Sequence, residues 1–257
     1  MIATRQRVFT NHQLEDFDRD GFLLIRSFYD AHERQNIGLW IDELATRMDE
    51  QSLLMFYLED SLLHKGQKIL SRIEQFVESH KEIHDVVYAP KLIDGVAQLI
   101  GDEAVLFKEK INFKLSGGGG FKPHQDIQPG WDDYAPYFLS VLVTVDVSTE
   151  ENGCLELAAG HHKRGMIGRR WQPLEGDELK GITFKQYPMS PGDVAFFDCF
   201  VPHRSGPNLT PVRRRNLYLT YNRKRDGDHR AKYFADKRAS FPPDKERDPK
   251  KAYSFKV

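Results

Sequence analysis

Apolar positions fall into two textures along the chain. Up to about residue 100 they recur mostly with helical spacing, and beyond it they bunch into short runs. Thr10 with Gln13 three residues on has the form of a capping box, so a helix is predicted to about Arg19, stopped by Asp20-Gly21. Phe22-Leu23-Leu24-Ile25 is a short apolar run between a turn signal and a charge, and reads as a buried strand. Asp30 with Glu33 forms a second cap. Ile37, Ile41, Leu44 and Met48 then follow at helical intervals on one face. Ile73, Phe76, Val77 and His80 extend that pattern, and Pro90 opens another short helix ended by Gly101.

After Gly101, five segments are rich in Val, Phe, Tyr and Leu: Val105 to Leu115, Phe138 to Val147, Thr183 to Pro188, Val194 to Asp198 and Asn216 to Asn222. Gly, Pro, Asp and Asn clusters separate them, as between antiparallel strands. Helices first and strands afterwards predict an α+β chain whose N-terminal helices buttress a sandwich or jelly roll. The expected organisation is one domain over residues 1–257: a helical part at about 10–100, a β core at about 101–225, and an irregular charged tail. The alternating end, Tyr253-Ser254-Phe255-Lys256-Val257, is a candidate edge strand.

Composition narrows the class. The 257 residues carry 37 Lys+Arg against 38 Asp+Glu, a formal net charge of -1, which points to neither nucleic acid nor a membrane surface. Mean hydropathy is -0.57, and no stretch approaches the roughly 18 apolar residues of a membrane helix. The N-terminus lacks the apolar core of a secretory signal. Two cysteines, Cys154 and Cys199, exclude a disulfide framework and a four-cysteine metal site within one chain, so a cytoplasmic location is expected.

The candidate chemistry lies in the β half. In Pro123-His124-Gln125-Asp126, a strand would put His124 and Asp126 on one face, since side chains alternate with period two. His203, 77 residues beyond Asp126, completes two imidazoles and a carboxylate. Such a set covers one face of an octahedron and leaves open positions, as in non-haem Fe(II) oxygenases. Arg214 within Arg213-Arg214-Arg215 is placed to present a planar fork to the far carboxylate of a 2-keto diacid. Each piece alone is weak: a lone His-x-Asp pair is usually a surface hydrogen bond, and an arginine run is usually a solvated face. A metal enzyme that uses no 2-oxoglutarate and a non-catalytic β-sandwich binding module are the competing readings.

A longer chain of motifs adds to this. Asp20-Gly21-Phe22 with Leu23-Leu24-Ile25, Pro123-His124-Gln125-Asp126, Glu151-Asn152-Gly153-Cys154-Leu155 and Gly160-His161-His162-Lys163 come first. Pro191-Gly192-Asp193-Val194, His203-Arg204-Ser205-Gly206-Pro207-Asn208 and Arg214-Arg215-Asn216-Leu217 follow in the same order. In this the sequence resembles the phytanoyl-CoA dioxygenase family of Fe(II)/2-oxoglutarate oxygenases. The resemblance implies a double-stranded β-helix, a jelly roll, with helices packed on it. It implies iron ligation by His124, Asp126 and His203, and 2-oxoglutarate held by Arg214 with support from Ser205. Lys108 and Asn112 match positions that help bind 2-oxoglutarate in related enzymes. It further implies use of dioxygen to hydroxylate a C–H bond of a small-molecule substrate, with succinate and carbon dioxide released. The carboxylate at Asp126 favours hydroxylation over halogenation, and Arg204 stands where a Gly is common.

The strand around Phe107–Lys114 places Lys108, Lys110, Asn112 and Lys114 on one face, either a solvated basic face or the mouth of the barrel. That polarity favours a small anionic or zwitterionic substrate over an acyl-CoA. Glu150 to Glu156, Ala159 to Gly165, Tyr233-Phe234-Ala235-Asp236-Lys237-Arg238 and Phe241-Pro242-Pro243-Asp244 resemble the organophosphonate-oxidising subgroup. This implies hydroxylation next to phosphorus in 2-aminoethylphosphonate or its trimethylammonium analogue, with an amino acid or acyl-CoA as the alternative. Lys110 and its neighbours suit the phosphonate. Glu109 or Asp132 would suit an ammonium, and Trp131 with Tyr134 and Tyr137 would form a cage for a quaternary one. Gly117 to Gly120 reads as a flexible turn near the entrance. His12, His32, His64, His80 and His84 read as surface or core residues of helical segments, His161 and His162 as structural, and Cys199 as a small core residue.

Overall fold

The computed structural model describes residues 7–48 and 53–253. The helices are α1 (Asn11–Asp20), α2 (Ala31–Thr46), α3 (Lys81–Val87), α4 (Pro90–Ile100) and α5 (Arg230–Ser240). The strands are β1 (Phe22–Ile25), β2 (Met55–Asp60), β3 (Lys68–Glu74), β4 (Ala104–Lys114), β5 (Phe121–His124) and β6 (Phe138–Thr144). They continue with β7 (Leu155–Leu157), β8 (Lys185–Tyr187), β9 (Val194–Asp198), β10 (His203–Ser205) and β11 (Arg214–Arg223).

Local chemistry explains the first elements. Thr10 Oγ1 accepts from Gln13 N at 3.3 Å and Gln13 Oε1 accepts from Thr10 N at 2.9 Å, the reciprocal cap that starts α1. Asp30 and Glu33 do the same for α2 at 2.9 Å each way. Gly21 ends α1 with φ +84°, and a β-carbon there would lie 2.4 Å from the His162 ring, so glycine is required twice over.

Among the described residues the strands form two antiparallel sheets. The larger runs β1-β9-β6-β11-β4-β3-β2, and the smaller runs β5-β10-β7-β8. Facing sheets of this kind are the expected jelly roll. One face of the large sheet, with Ile111, Phe113, Val141, Val143, Leu217 and Leu219, packs on Ile37, Ile41 and Leu44 of α2 and Leu92, Val96 and Ile100 of α4. Each such fully buried side chain contributes about 1.5–3 kcal/mol. The opposite face looks at the small sheet, where Leu142, Ala195 and Phe197 meet Leu155 and Leu157.

Several expectations need correction. The segment before residue 100 is not uniformly helical: β2 and β3 add a hairpin to the large sheet, and Ile73 belongs to β3 rather than to a helix. Phe76, Val77 and His80 lie in the turn and single 3₁₀ turn that precede α3, where His80 Nδ1 accepts from Ile83 N at 3.3 Å. His64 sits in the β2–β3 connection. The tail is not irregular throughout, because α5 docks across β4. The four glycines are a packed segment rather than a flexible turn: a β-carbon on Gly120 would lie 2.6 Å from Ser205 O, a distance set by the pairing of β5 with β10. Of the proposed edge strand only Tyr253 is described, and it is not in a strand; the rest lies outside the described residues.

Candidate active site

The inner face of the large sheet is polar where a core would ordinarily be apolar. Along the β4–β11 ladder, Lys114 stands opposite Arg214, Asn112 opposite Asn216, Lys110 opposite Tyr218 and Lys108 opposite Thr220. On the other flank Thr144 pairs with Asn216 and Ser140 with Thr220. Most of these side chains are buried, so the solvated-face reading of this strand is wrong. A buried polar row needs partners or a ligand.

Pairing of β5 with β10 sets His124 directly opposite His203, with ring centroids 4.1 Å apart. Asp126 is not on the strand: β5 ends at His124, and Asp126 follows in a turn in which Gln128 Oε1 accepts from Gln125 N at 2.8 Å. Ser140 Oγ then holds Asp126 Oδ2 at 2.5 Å, and Asp126 Oδ1 lies 3.7 Å from His203 Nε2. The donor atoms of the three residues lie within 4.8 Å of one another, and all three residues are buried.

Both imidazoles are oriented from behind. His124 Nδ1 lies 2.7 Å from Lys122 O and His203 Nδ1 3.0 Å from Val201 O. A carbonyl can only accept, so each Nδ1 carries the proton and each Nε2 presents a lone pair. Burial, with the neighbouring His203, holds His124 well below the usual imidazole range, and burial also lowers His203. For Asp126 burial pushes upward, but the imidazoles whenever they are protonated, the Lys110 charge and the Ser140 hydroxyl outweigh it, and with neutral imidazoles Lys110 and Ser140 remain on the side of the ionised form. Two neutral imidazoles and one carboxylate on one side of a point are a donor set that fits Fe(II) with open positions.

Of the three consecutive arginines only Arg214 turns inward. Arg213 bonds Asp42 at the surface, and Arg215 bonds Asp146 through two nitrogens and Gly38 O through a third. Arg214 is buried beside Tyr218, to which it is hydrogen-bonded, yet its Nε has no partner. Asn112 Oδ1 is equally buried and unpartnered. The orphaned Arg214 N–H fits the carboxylate end of a bound diacid, whereas the Asn112 oxygen can only accept and calls for a donor. Ser205 Oγ accepts from Lys114 Nζ at 2.8 Å, so it is tied to the lysine opposite Arg214. Arg204 bonds Glu156 at 2.8 Å and stacks over Phe184.

Next to the triad lies a cavity of about 320 Å³, which His124 and Asp126 help to line. Lys108, Lys110, Trp131 and Tyr134 are on its wall, with Arg72, Asp133, Tyr233, Asp236 and Lys237, which the sequence reading did not single out as site residues. Glu109, Asp132 and Tyr137 are not on it. Glu109 faces the opposite side of β4, where Arg230 and the backbone of Phe76 and Val77 bind it. Asp132 is taken by Arg170 at 2.5 Å. Tyr137 is hydrogen-bonded to Asp198 under the Arg223 guanidinium. The imagined cage of Trp131, Tyr134 and Tyr137 is therefore not assembled.

The family model described as phytanoyl-CoA dioxygenase matches residues 17–216. The chain belongs to the phytanoyl-CoA dioxygenase family. It is an Fe(II)/2-oxoglutarate-type dioxygenase, and Fe(II) and 2-oxoglutarate are its cofactors. It is 37% identical over 251 residues to a 2-aminoethylphosphonate dioxygenase from the uncultured bacterium HF130_AEPn_1, covering 96% of this chain and 94% of that one. It is 34% identical to a methylphosphonate hydroxylase of Gimesia maris, covering 90% and 88%. The fold is similar to that of EctD from S. alaskensis, solved with 2-oxoglutarate and 5-hydroxyectoine, at a TM-score of 0.74 and 22% identity over 87% of this chain and 79% of EctD. No helix among the described residues is long and apolar enough to cross a membrane.

Proposed function

We propose that this enzyme hydroxylates the carbon next to phosphorus in a small phosphonate, with 2-aminoethylphosphonate as the substrate. One observation carries the reading. Lys108, 3% exposed, and Lys110 point amines at the cavity beside the triad, and neither has a hydrogen-bond or ion-pair partner among the described residues. Lys108 Nζ is held only by ring faces, 5.1 Å from Trp131 and 5.0 Å from Tyr233. Burial pushes Lys108 down, and burial with the charge of Lys108 brings Lys110 down to about 8. Arg72 and Lys237 add two cations on the same wall, and among the described residues the buried carboxylates that face these four are Glu74 and the triad's Asp126. A dianion of small volume answers that imbalance. The names of the two relatives, both acting on phosphonates, support the same substrate class.

In this reading His124, Asp126 and His203 hold Fe(II), and Arg214 holds the far carboxylate of 2-oxoglutarate. With dioxygen the bound pair supplies the oxidant, so that 2-oxoglutarate leaves as succinate and carbon dioxide and one oxygen atom enters the substrate C–H bond. The chain's own part is placement. Lys108 and Lys110 fix the phosphonate, which brings the adjacent carbon against the triad, and the aromatic wall excludes water.

The test is succinate release across a panel of phosphonates, amino acids and acyl-CoAs. Coupling to 2-aminoethylphosphonate is expected, and strong coupling to an acyl-CoA with none to phosphonates would overturn the reading. Lys108→Met should raise KM for the phosphonate about 10- to 100-fold, the equivalent of one charged hydrogen bond, and should leave 2-oxoglutarate affinity unchanged, because Lys108 stands opposite Thr220, well along β4 from the residue opposite Arg214, and not beside that arginine as the 2-oxoglutarate role expected of it requires. Arg214→Lys should do the reverse. It should raise the 2-oxoglutarate requirement by roughly tenfold or more, because a point charge does not replace a two-donor fork, and leave the phosphonate KM alone.

A further inference from the structure

The cavity is polarised from end to end. Its cations are sunk in the protein, whereas its two carboxylates outside the triad stand at the mouth: the Asp133 side chain is 63% exposed and the Asp236 side chain 49%. Asp236 comes from α5, one turn from Lys232 and adjacent to Lys237, and Tyr134 Oη donates to its Oδ2 at 2.7 Å. Lys232 Nζ also reaches Oδ2, at 2.5 Å, but Lys232 is itself two-thirds exposed and such a surface pair is worth little. Asp236 Oδ1 has no bond among the described residues. Asp133 is engaged by Arg170 at 2.9 Å.

We propose that Asp236, braced by Tyr134, takes the primary ammonium of a zwitterionic aminophosphonate whose phosphonate lies against Lys108 and Lys110. This rests on the phosphonate reading above and adds the far end of the substrate to it. Two further observations support a primary rather than a quaternary ammonium. A primary ammonium has N–H groups to donate to a carboxylate, and a quaternary one relies on open ring faces. The rings around the cavity already hold protein cations: Lys108 on Trp131 and Tyr233, Lys232 on Tyr134, Arg247 on Phe241 and Lys114 on Phe121. Among the described residues Trp171 alone of the lining aromatics holds none, and one ring is not a cage.

The experiment compares three ligands on wild type and Asp236→Asn: 2-aminoethylphosphonate, ethylphosphonate, which lacks the amine, and the N-trimethyl analogue. Turnover is followed by succinate, and binding to metal-free protein by calorimetry. Asp236→Asn should weaken 2-aminoethylphosphonate about tenfold in both KM and Kd and leave ethylphosphonate within twofold, and wild type should prefer the primary amine to the trimethyl form. Asp132→Asn, on the residue that Arg170 holds outside the cavity, should change nothing. Equal weakening of both unmethylated ligands, or a wild-type preference for the trimethyl form, would overturn the ammonium assignment and leave the phosphonate reading standing. If wild type binds and turns over none of the three, the phosphonate reading itself has failed.

Discussion

Asp126→Ala is expected to abolish coupled turnover while the protein stays folded. The carboxylate is the one anionic donor between His124 and His203, and losing it removes both a ligand and the charge that offsets a divalent ion. Removing a partner merely behind a metal ligand costs 10–100-fold in affinity or activity, so deleting the ligand itself should cost more than about 100-fold in iron affinity. The scaffold is independent of it: His124 and His203 are set by the β5–β10 pairing and by their own backbone carbonyls. Iron content by elemental analysis should fall well below one per chain, with an unchanged far-ultraviolet spectrum. Full turnover in this variant would remove Asp126 from the metal site.

The largest effect on stability is expected from Arg230→Ala. Arg230 docks the start of α5 by bonding Glu109, which is fully buried, and Glu78, which is half exposed. Truncation leaves the Glu109 carboxylate in the core with the Phe76 and Val77 amides as its remaining hydrogen-bond partners among the described residues. Breaking a buried pair from one side costs about 3–5 kcal/mol. For a chain of this size that corresponds to a fall in Tm of roughly 6–20 °C. The double variant Arg230→Met with Glu109→Gln should recover most of the loss, since it removes the stranded charge. An unfolding midpoint unchanged in Arg230→Ala would mean that α5 is not anchored there.

The parts legible in the sequence were those decided locally. Caps at Thr10 and Asp30, the stop at Gly21 and the runs that became β4, β6, β9 and β11 carry their signals within a few residues. The hairpin of β2 and β3 was missed because Ile73, Phe76, Val77 and His80 mimic helical spacing, while the extended state of Ile73 is fixed by partners elsewhere in the chain, opposite Phe56 and Ile111. Met55-Phe56-Tyr57 and Gly66 were the available hints. Helix α5 was missed for a different reason. Its buried positions, Arg230, Tyr233, Phe234 and Lys237, have helical spacing, but two of the four are cations that a hydrophobic pattern does not count. Their burial is compensated by Glu109 and Glu74, more than a hundred residues away. The triad was found through strand parity, although a turn and Ser140, not parity, place Asp126.

That last helix gives the protein an unusual division of labour along its length. Everything assigned to iron and 2-oxoglutarate is in place by Arg214, and the half of the substrate wall that carries Tyr233, Asp236 and Lys237 arrives only afterwards. The part of the recognition surface that α5 carries is thus joined to the rest of the site at a single seam near Gly227, just before the helix begins. A chimera joined at that point would inherit its reaction from one parent and part of its substrate preference from the other, provided the incoming helix brings an arginine for Glu109 and a lysine for Glu74.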